Sequence, residues 1–237
     1  MVANVAGVAV VAIVACRPAA AVGSAPELTA TTVALDAPIV PTVGASSSAA
    51  KARARADSSQ LPYTEADVRF MSGMVGHHSQ AIVMSRLAPE RAGSASLRTL
   101  AARIVNAQQD EITLMQTWLA DRDQPVPEAR PTGMRVQMDG VMHDMPMPGM
   151  LTPDQMRSLA AARGVEFDRL FLEGMIQHHK GAVAMVQQLF GTPGAGQDAR
   201  VFKFASDVNV DQSTEIRRMG LMYVGLMLQK AAQEEHP

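Results

Sequence analysis

The sequence contains an internal repeat that restricts the folds available to it. Residues 67–84 read DVRFMSGMVGHHSQAIVM, and 101 positions later residues 168–185 read DRLFLEGMIQHHKGAVAM. A second block, QQDEITLM at 108–115, recurs 104 positions later as QSTEIRRM at 212–219. A slightly longer connection between two elements would produce this change of offset, so we interpret the repeating unit as two secondary-structure elements.

Both elements of the unit have the pattern of amphipathic helices. Thr64 and Asp67 form a capping arrangement ahead of apolar residues that recur at helical spacing. The second element is predicted to be a helix over residues 96–120, with its counterpart over 198–230. Each half of the repeat is therefore a helical hairpin.

Two helical hairpins joined by a long crossover predict an all-α fold, a four-helix bundle. Inside the crossover, a short helix is expected to open at Thr152, with Pro153 as its first residue, and to stop at Gly164. The predicted bundle covers residues 61–231, divided into a first hairpin at 61–121, a Met-rich crossover at 122–164 and a second hairpin at 165–231.

The first 60 residues are predicted to lie outside this fold. Residues 1–15 carry no charge and lead to Cys16 in a pattern that resembles a bacterial lipobox. The apolar stretch suits a signal peptide and is shorter than the roughly 20 residues that span a bilayer. Residues 16–60 are rich in Ala, Ser, Thr and Pro and are expected to form a disordered tether. No Lys or Arg precedes the apolar run, so a chance cysteine in an Ala/Val-rich leader is the alternative to lipidation at Cys16.

Composition excludes several functional classes. The formal net charge of -2 and the lack of extended basic runs argue against nucleic acid as a partner. Because there is only one cysteine, a disulfide framework and a CxxC metal or redox motif are both excluded. Methionine is unusually common, with 17 residues, the same number as glycine.

Four histidines are predicted to point into the bundle. At 100° per residue, His77 and His78 fall on the apolar face of their helix. The repeat copies them as His178 and His179, so both pairs are expected to face one interior. Histidine is the commonest metal ligand in proteins, which favours a metal site over four isolated core residues.

Glu111 and Glu215 occupy equivalent positions of the repeat, at the centre of their helices' apolar stripes. A carboxylate in such a position is costly unless it is paired, protonated or bound to a cation. Metal binding would satisfy this requirement. A purely structural network, in which neutral imidazoles pair with the two glutamates, is the alternative.

The crossover is rich in thioethers and is interrupted by Pro and Gly, which a core helix would not tolerate. Thioethers select Cu(I), and imidazole extends the same chemistry to Cu(II), so this composition predicts copper or silver binding. A Met-rich loop that holds an apolar partner is the alternative. The candidate ligands between residues 134 and 150 are Met134, Met138, Met142, His143, Met145, Met147 and Met150.

The repeated blocks resemble the bacterial domain-of-unknown-function 305 family, which includes CopM-like periplasmic copper-binding proteins. The resemblance runs from about residue 63 to 227 and rests on Phe-x-x-x-Met-x-x-His-His-x-x-Ala in each half, followed by Gln-x-x-Glu-Ile-x-x-Met. It implies a ferritin-like helical bundle outside the cytoplasm, with copper binding in some members. The ligands that it implies are Met74, His77, His78, Met84, Met175, His178, His179 and Met185, and the second motif adds Glu111, Met115, Glu215 and Met219 as candidates.

We therefore expect an extracytoplasmic metal-binding protein, not an enzyme, that sequesters or relays Cu(I) or Ag(I). Its expected location is the cell envelope, lipid-anchored on the extracytoplasmic face of the membrane. Expected partners are the metal ion, the membrane through Cys16, and a metal donor or acceptor protein or a second copy of the chain. One alternative is a ferritin-like metal-dependent oxidase, although the chain contains no Glu-x-x-His motif of the kind such sites use. Another is a structural or interaction module with a buried His/Glu network.

Overall fold

The fold is described for residues 62–235, from a computed structural model of the chain. The predictions for residues 1–60, including the lipidation of Cys16, lie outside the described residues. Across the described part, no helix combines the length and apolar character needed to cross a bilayer. The elements in chain order are α1 (Glu65–Arg86), α2 (Ala88–Arg91), α3 (Ala95–Ala120), β1 (Met134–Met138), β2 (Val141–Met145), α4 (Pro153–Ala161), α5 (Gly164–Gly191) and α6 (Ala199–Glu235).

The four long helices pack as two helical hairpins. Helix α1 packs along α3, α5 packs along α6, and α1 and α5 contact each other between the hairpins. The predicted long helices are present, and the short crossover helix α4 begins at Pro153, as its capping pattern predicted. It ends at Ala161 and not at Gly164, because Gly164 is the first residue of α5. The fold is mainly helical because each long helix buries an apolar stripe against its neighbours, as the sequence pattern indicated.

Two repeat-equivalent aspartates connect the hairpins. Asp67 belongs to a capping box with Thr64 at the start of α1. The Asp67 carboxylate also accepts a hydrogen bond of 2.7 Å from the backbone N–H of Gly196, just before α6. Asp168 on α5 accepts bonds of 3.0 and 2.8 Å from the backbone N–H groups of Gly93 and Ser94, just before α3. Each hairpin therefore holds the loop that leads into the second helix of the other, which links the two hairpins at both ends.

The hydrophobic core consists of two clusters of buried side chains. The first joins the start of α1, the end of α3, the end of α5 and the start of α6. The second joins the opposite parts of the same four helices. Helices α1 and α5 therefore run in opposite directions, and their central turns lie where the two clusters meet.

The crossover contains a β-hairpin that the sequence analysis did not predict, so the all-α prediction is incomplete. Strands β1 and β2 are antiparallel, with Met134 opposite Met145 and Met138 opposite Val141. Asp139 and Gly140 connect them with φ angles of 52° and 80°, the left-handed conformation that a tight two-residue hairpin turn requires. The sequence does contain an Asp-Gly pair, which is typical of such a turn, but the segment was interpreted from its methionines.

After the hairpin, the crossover passes close to the backbone of α5. A Cβ atom added to Gly181 would lie 1.9 Å from the carbonyl oxygen of Pro148. Only glycine leaves space for the two backbones at this point. The contact fixes the crossover against the central part of α5.

We expect Gly181→Ala to lower the free energy of unfolding by about 1–3 kcal/mol, because the added methyl group overpacks against a backbone atom. Gly220→Ala is the matched control, since a Cβ on Gly220 in α6 would meet no atom within 4 Å. It should stabilise the protein by up to about 1 kcal/mol through helix propensity. Urea unfolding curves that shift in the same direction for both variants would contradict the close contact.

Candidate metal centre

Four histidines occupy the middle of the core, two on α1 and two on α5. His77, His78, His178 and His179 are all fully buried, so their predicted inward orientation is confirmed. The rings of His77 and His178 meet across the two helices with centroids 3.8 Å apart. Within each pair the ring centroids are 6.3 and 6.2 Å apart. The repeat therefore brings both pairs into one layer, between the two apolar clusters.

Two of the imidazoles are bonded to carboxylates. Nε2 of His78 lies 2.7 Å from Oε2 of Glu111 on α3, and Nε2 of His179 lies 2.7 Å from Oε2 of Glu215 on α6. The duplicated Glu positions of the sequence thus meet the duplicated His positions. An ionised carboxylate only accepts hydrogen bonds, so each of these Nε2 atoms carries the proton.

The other two imidazoles are bonded to backbone carbonyls. Nε2 of His77 lies 3.0 Å from the carbonyl oxygen of Pro148 in the crossover. Nε2 of His178 lies 3.0 Å from the carbonyl oxygen of His77. Carbonyl oxygens are acceptors as well, so these Nε2 atoms also donate.

The Nδ1 atoms of the same four histidines have no hydrogen-bond partner, and all of them are buried. When Nε2 carries the proton, Nδ1 of a neutral imidazole presents a lone pair. A buried acceptor without a partner is costly, by about 1–3 kcal/mol each. Metal-binding histidines show this arrangement, since one nitrogen binds the ion while the other donates to a carboxylate or carbonyl.

Burial keeps two of the imidazoles neutral. Desolvation, followed by the proximity of His78, lowers the pKa of His77 to about 3. Desolvation, followed by the proximity of His77, also holds the pKa of His178 well below its usual value. At neutral pH both rings are therefore uncharged, which is the form that binds a metal.

These depressed pKa values make the metal-free fold sensitive to acid. Below pH 6.5 the unfolded chain binds a proton at His77, whereas the folded chain does not until about pH 3. The free energy of unfolding should therefore fall by about 1.4 kcal/mol per pH unit for this one group as the pH drops through that window. Urea unfolding between pH 7.5 and 4.5 measures the slope. His77→Gln should make it shallower by this amount, and an unchanged slope would show that His77 is protonated in the fold.

The structure corrects the predicted position of the two glutamates. Their side chains lie at the edge of the helix interface and are 24% and 26% exposed, not at the centre of the apolar stripe. Each carboxylate reaches its histidine from the solvent side. Asp211, which the sequence analysis missed, lies close enough for the negative charge of Glu111 to raise its pKa, after the larger effect of partial desolvation. This edge of the imidazole layer is therefore acidic.

Nitrogen and oxygen ligands alone do not complete a site. Within residues 62–235, no three His, Cys, Asp or Glu side chains come close enough together to hold one ion. The core also contains thioether donors. The core methionines divide between the apolar clusters, with Met74, Met115 and Met185 in the first and Met84, Met175 and Met219 in the second.

The crossover ligand candidates lie mostly at the surface. The hairpin exposes Met138, Met142, His143 and Met145, whereas Met147 is partly buried and Met150 is buried. Four candidate residues from the sequence analysis line a single pocket: Met134, Met145, Met147 and Met185. Whether any of these residues binds a metal stays a prediction.

Two glutamines that the sequence analysis missed hold the crossover over the histidines. Gln80 accepts from the backbone N–H of Leu151 at 2.7 Å and donates to the Leu151 carbonyl at 3.0 Å. Gln177 donates to the carbonyl oxygen of Gly149 at 3.3 Å. The available signal for Gln80 was a polar side chain on a buried helix face, two residues after a histidine pair.

Comparison with protein families matches residues 67–223 to the family described as Domain of unknown function (DUF305). A short match of 56 residues at 38% identity to an uncharacterized protein of Acanthamoeba polyphaga mimivirus covers 24% of this chain and 37% of that relative. The family match spans both copies of the repeat, and the repeat contains all four buried histidines.

Solved structures with the same fold include a DUF305 protein from Streptomyces coelicolor, whose description proposes that it is secreted. It is 27% identical, with a TM-score of 0.57 over 68% of this chain and 93% of that one. CopM in its Cu(I)-bound form is 30% identical, with a TM-score of 0.51 over 69% of this chain and 98% of CopM. CopM in its Cu(II)-bound form is 31% identical, with a TM-score of 0.52 over 67% and 96% of the two chains. The duplicated His-His helices, the fold and the family match agree, and the chain belongs to the DUF305 family.

Proposed function

We propose that this protein binds copper as cargo outside the cytoplasm and sequesters or relays it, mainly as Cu(I), and that it accepts Ag(I) in the same way. The observation that carries the proposal is the pattern of the four buried imidazoles. Every Nε2 atom has an acceptor, and every Nδ1 lone pair lacks a donor. The protein then acts as a binder rather than as an enzyme, with a ferritin-like four-helix bundle that presents preoriented nitrogen ligands.

The choice of metal rests on ligand softness and on the family. Neutral imidazole binds both oxidation states of copper, and thioethers favour the monovalent state. CopM, a structural relative, has been crystallised with Cu(I) and with Cu(II). This chain combines buried imidazoles with a Met-rich crossover, which is a donor set suited to the same ions.

The glutamates would tune two of the ligands. Glu111 and Glu215 accept from Nε2 of His78 and His179, which fixes the ring orientations and makes each Nδ1 more basic. His77 is fixed instead by the carbonyl of Pro148. The hydrogen bond between His77 and the crossover would therefore affect metal affinity as well as fold stability.

The exposed part of the crossover would capture the ion first. Met138, Met142 and His143 are solvent-accessible on the β-hairpin, where an incoming ion meets them before the core. In this proposal Cys16 carries a lipid that keeps the protein on the extracytoplasmic face of the membrane. A protein that donates or accepts copper, or a second copy of the chain, would then meet the hairpin.

A structural module is the second candidate, because no three nitrogen or oxygen ligands converge within residues 62–235. In that case the histidines only pair with the glutamates and carbonyls and stabilise the core.

Titration of the purified, untagged full chain with Cu(I) under reducing conditions, in competition with a chromophoric Cu(I) chelator, separates the two candidates. The proposal predicts binding of at least one Cu(I) per chain and an increase in thermal stability on loading, since a ligand that binds only the folded state stabilises it. A folded protein that neither competes with the chelator nor gains stability would support the structural module.

A further inference from the structure

A pocket of about 330 Å³ opens at the surface between the β-hairpin and the helices α1 and α5. Four methionines line it: Met134, Met145, Met147 and Met185. Its other lining residues include apolar Phe70 and Leu189, the cation Arg69, and Gln188 and Thr192, with no Asp, Glu, His or Cys among them. The strong donors of this pocket are therefore thioethers alone.

Three different elements bring the methionines together. Met134 on β1 is the direct cross-strand partner of Met145 on β2, so their Cβ atoms are separated by about 4.5–5.5 Å. Met147 follows two residues later, and Met185 comes from α5. The Sδ atom of Met147 and the Cε atom of Met185 lie 2.9 and 3.6 Å from the point that a Cβ of Gly73 would occupy. The glycine on α1 thus leaves space for the ends of both side chains.

The equivalent place in the other half of the repeat lacks this cluster of thioethers. There, Gly174 on α5 takes the place of Gly73, and the Cε atom of Met84 takes that of Met185, at 3.3 Å from the corresponding Cβ point. The position of Met147 is filled by Leu151, whose Cδ2 atom lies at 2.9 Å. The pocket beside Gly174 is lined by acidic and amide side chains such as Asp154, and no methionine lines it.

We propose that the pocket formed by Met134, Met145, Met147 and Met185 is a thioether site for a soft monovalent cation, Cu(I) or Ag(I), and that only one half of the duplicated fold has it. The inference deepens the proposed function and rests on it. Thioethers are neutral soft donors, so this site discriminates against hard divalent ions.

The pocket is also adjacent to the buried imidazoles along the chain. Met147 lines the pocket, and the carbonyl of the next residue, Pro148, accepts the hydrogen bond from His77. An ion bound by the thioethers therefore lies near the surface, beside the segment that orients His77. Loading this site should precede loading of the imidazoles.

The test is a titration of the full chain with Ag(I), followed by isothermal calorimetry and by NMR of ¹³C-labelled methionine methyl groups. We expect the Met147 and Met185 methyl resonances to shift when Ag(I) is added. The double variant Met147→Leu/Met185→Leu should lose one Ag(I) equivalent or bind it at least tenfold more weakly. Met71→Leu is the control for the loss of a thioether, because Met71 is a buried neighbour on α1 that does not line the pocket.

A pair of glycine variants tests the asymmetry with the same steric change in each half. Gly73→Ala places a Cβ 2.9 Å from Met147 Sδ, and Gly174→Ala places one 2.9 Å from Leu151 Cδ2. Only Gly73→Ala should weaken Ag(I) binding at the pocket. Equal effects of both, or unchanged Ag(I) binding by the double methionine variant, would overturn the pocket while leaving the proposed function in place. A wild-type chain that binds neither Ag(I) nor Cu(I) would refute the proposed function itself.

Discussion

Replacing His77, His78, His178 and His179 together with glutamine is expected to weaken Cu(I) binding by about a hundredfold or more, or about 2.7 kcal/mol. Glutamine suits the test because its amide N–H can replace Nε2–H as a donor to Glu111, to Glu215 and to the two carbonyls. It supplies no ring nitrogen at the Nδ1 position. The substitution therefore removes the four lone pairs and preserves the bonds that the structure shows.

The comparison variant is His143→Gln, which makes the same chemical change at the exposed histidine of the β-hairpin, a residue that the proposal assigns to capture of the ion and not to the buried site. It should leave the tightest Cu(I) binding within about threefold of wild type, because the buried ligands remain. Circular dichroism and urea unfolding establish that the fourfold variant is folded. A folded fourfold variant with wild-type Cu(I) affinity would show that the imidazoles are not ligands.

Asp198→Ala is expected to lower the free energy of unfolding by about 3–5 kcal/mol, the largest effect on stability that we predict. The buried Asp198 carboxylate accepts from Nε1 of Trp118 at 3.1 Å and pairs with Arg122 at 2.5 Å. It also accepts from the backbone N–H of Val201 at 3.1 Å, in the first turn of α6. Its removal leaves the Arg122 guanidinium, which is only 5% exposed, without its counter-ion.

Asp121→Ala is the matched control for this prediction. Asp121 pairs with Arg200 at 3.2 Å, but both side chains are more than a third exposed. Water screens such a pair, so its loss should change the free energy of unfolding by about 0.5 kcal/mol or less. Chemical denaturation of both variants measures the difference. Similar values for the two would mean that Asp198 does not organise this end of the core.

The helices and the buried histidines could be predicted because both follow from periodicity. A 3.6-residue period places His78 on the same face as Met74 and Ala81, whichever neighbours the helix meets. Because the repeat duplicates the pattern, each prediction also applies to a second helix. Two helix starts could be predicted from Thr64 and Thr152, because capping depends only on residues that are close in the sequence.

Features that depend on non-repeated contacts could not be predicted in the same way. The hydrogen bond from His77 to the Pro148 carbonyl depends on where the crossover lies, and periodicity carries no information about that. The edge position of Glu111 depends on how far its side chain reaches around α3. The difference between Met147 and Leu151 lies within the crossover, which has no second copy, so the repeat carries no information about it.

The central claim is that the four buried imidazoles carry their protons on Nε2 and present Nδ1 to a metal. Long-range ¹H–¹⁵N NMR of the ¹⁵N-histidine-labelled full chain reads both nitrogens of each ring directly. We predict that all four rings carry a proton on Nε2 at pH 7 without metal, that His77 and His178 are neutral, and that the Nδ1 resonances shift selectively when Ag(I) is added. Rings protonated at Nδ1, or Nδ1 resonances that do not move while Ag(I) binds elsewhere, would contradict the proposed centre.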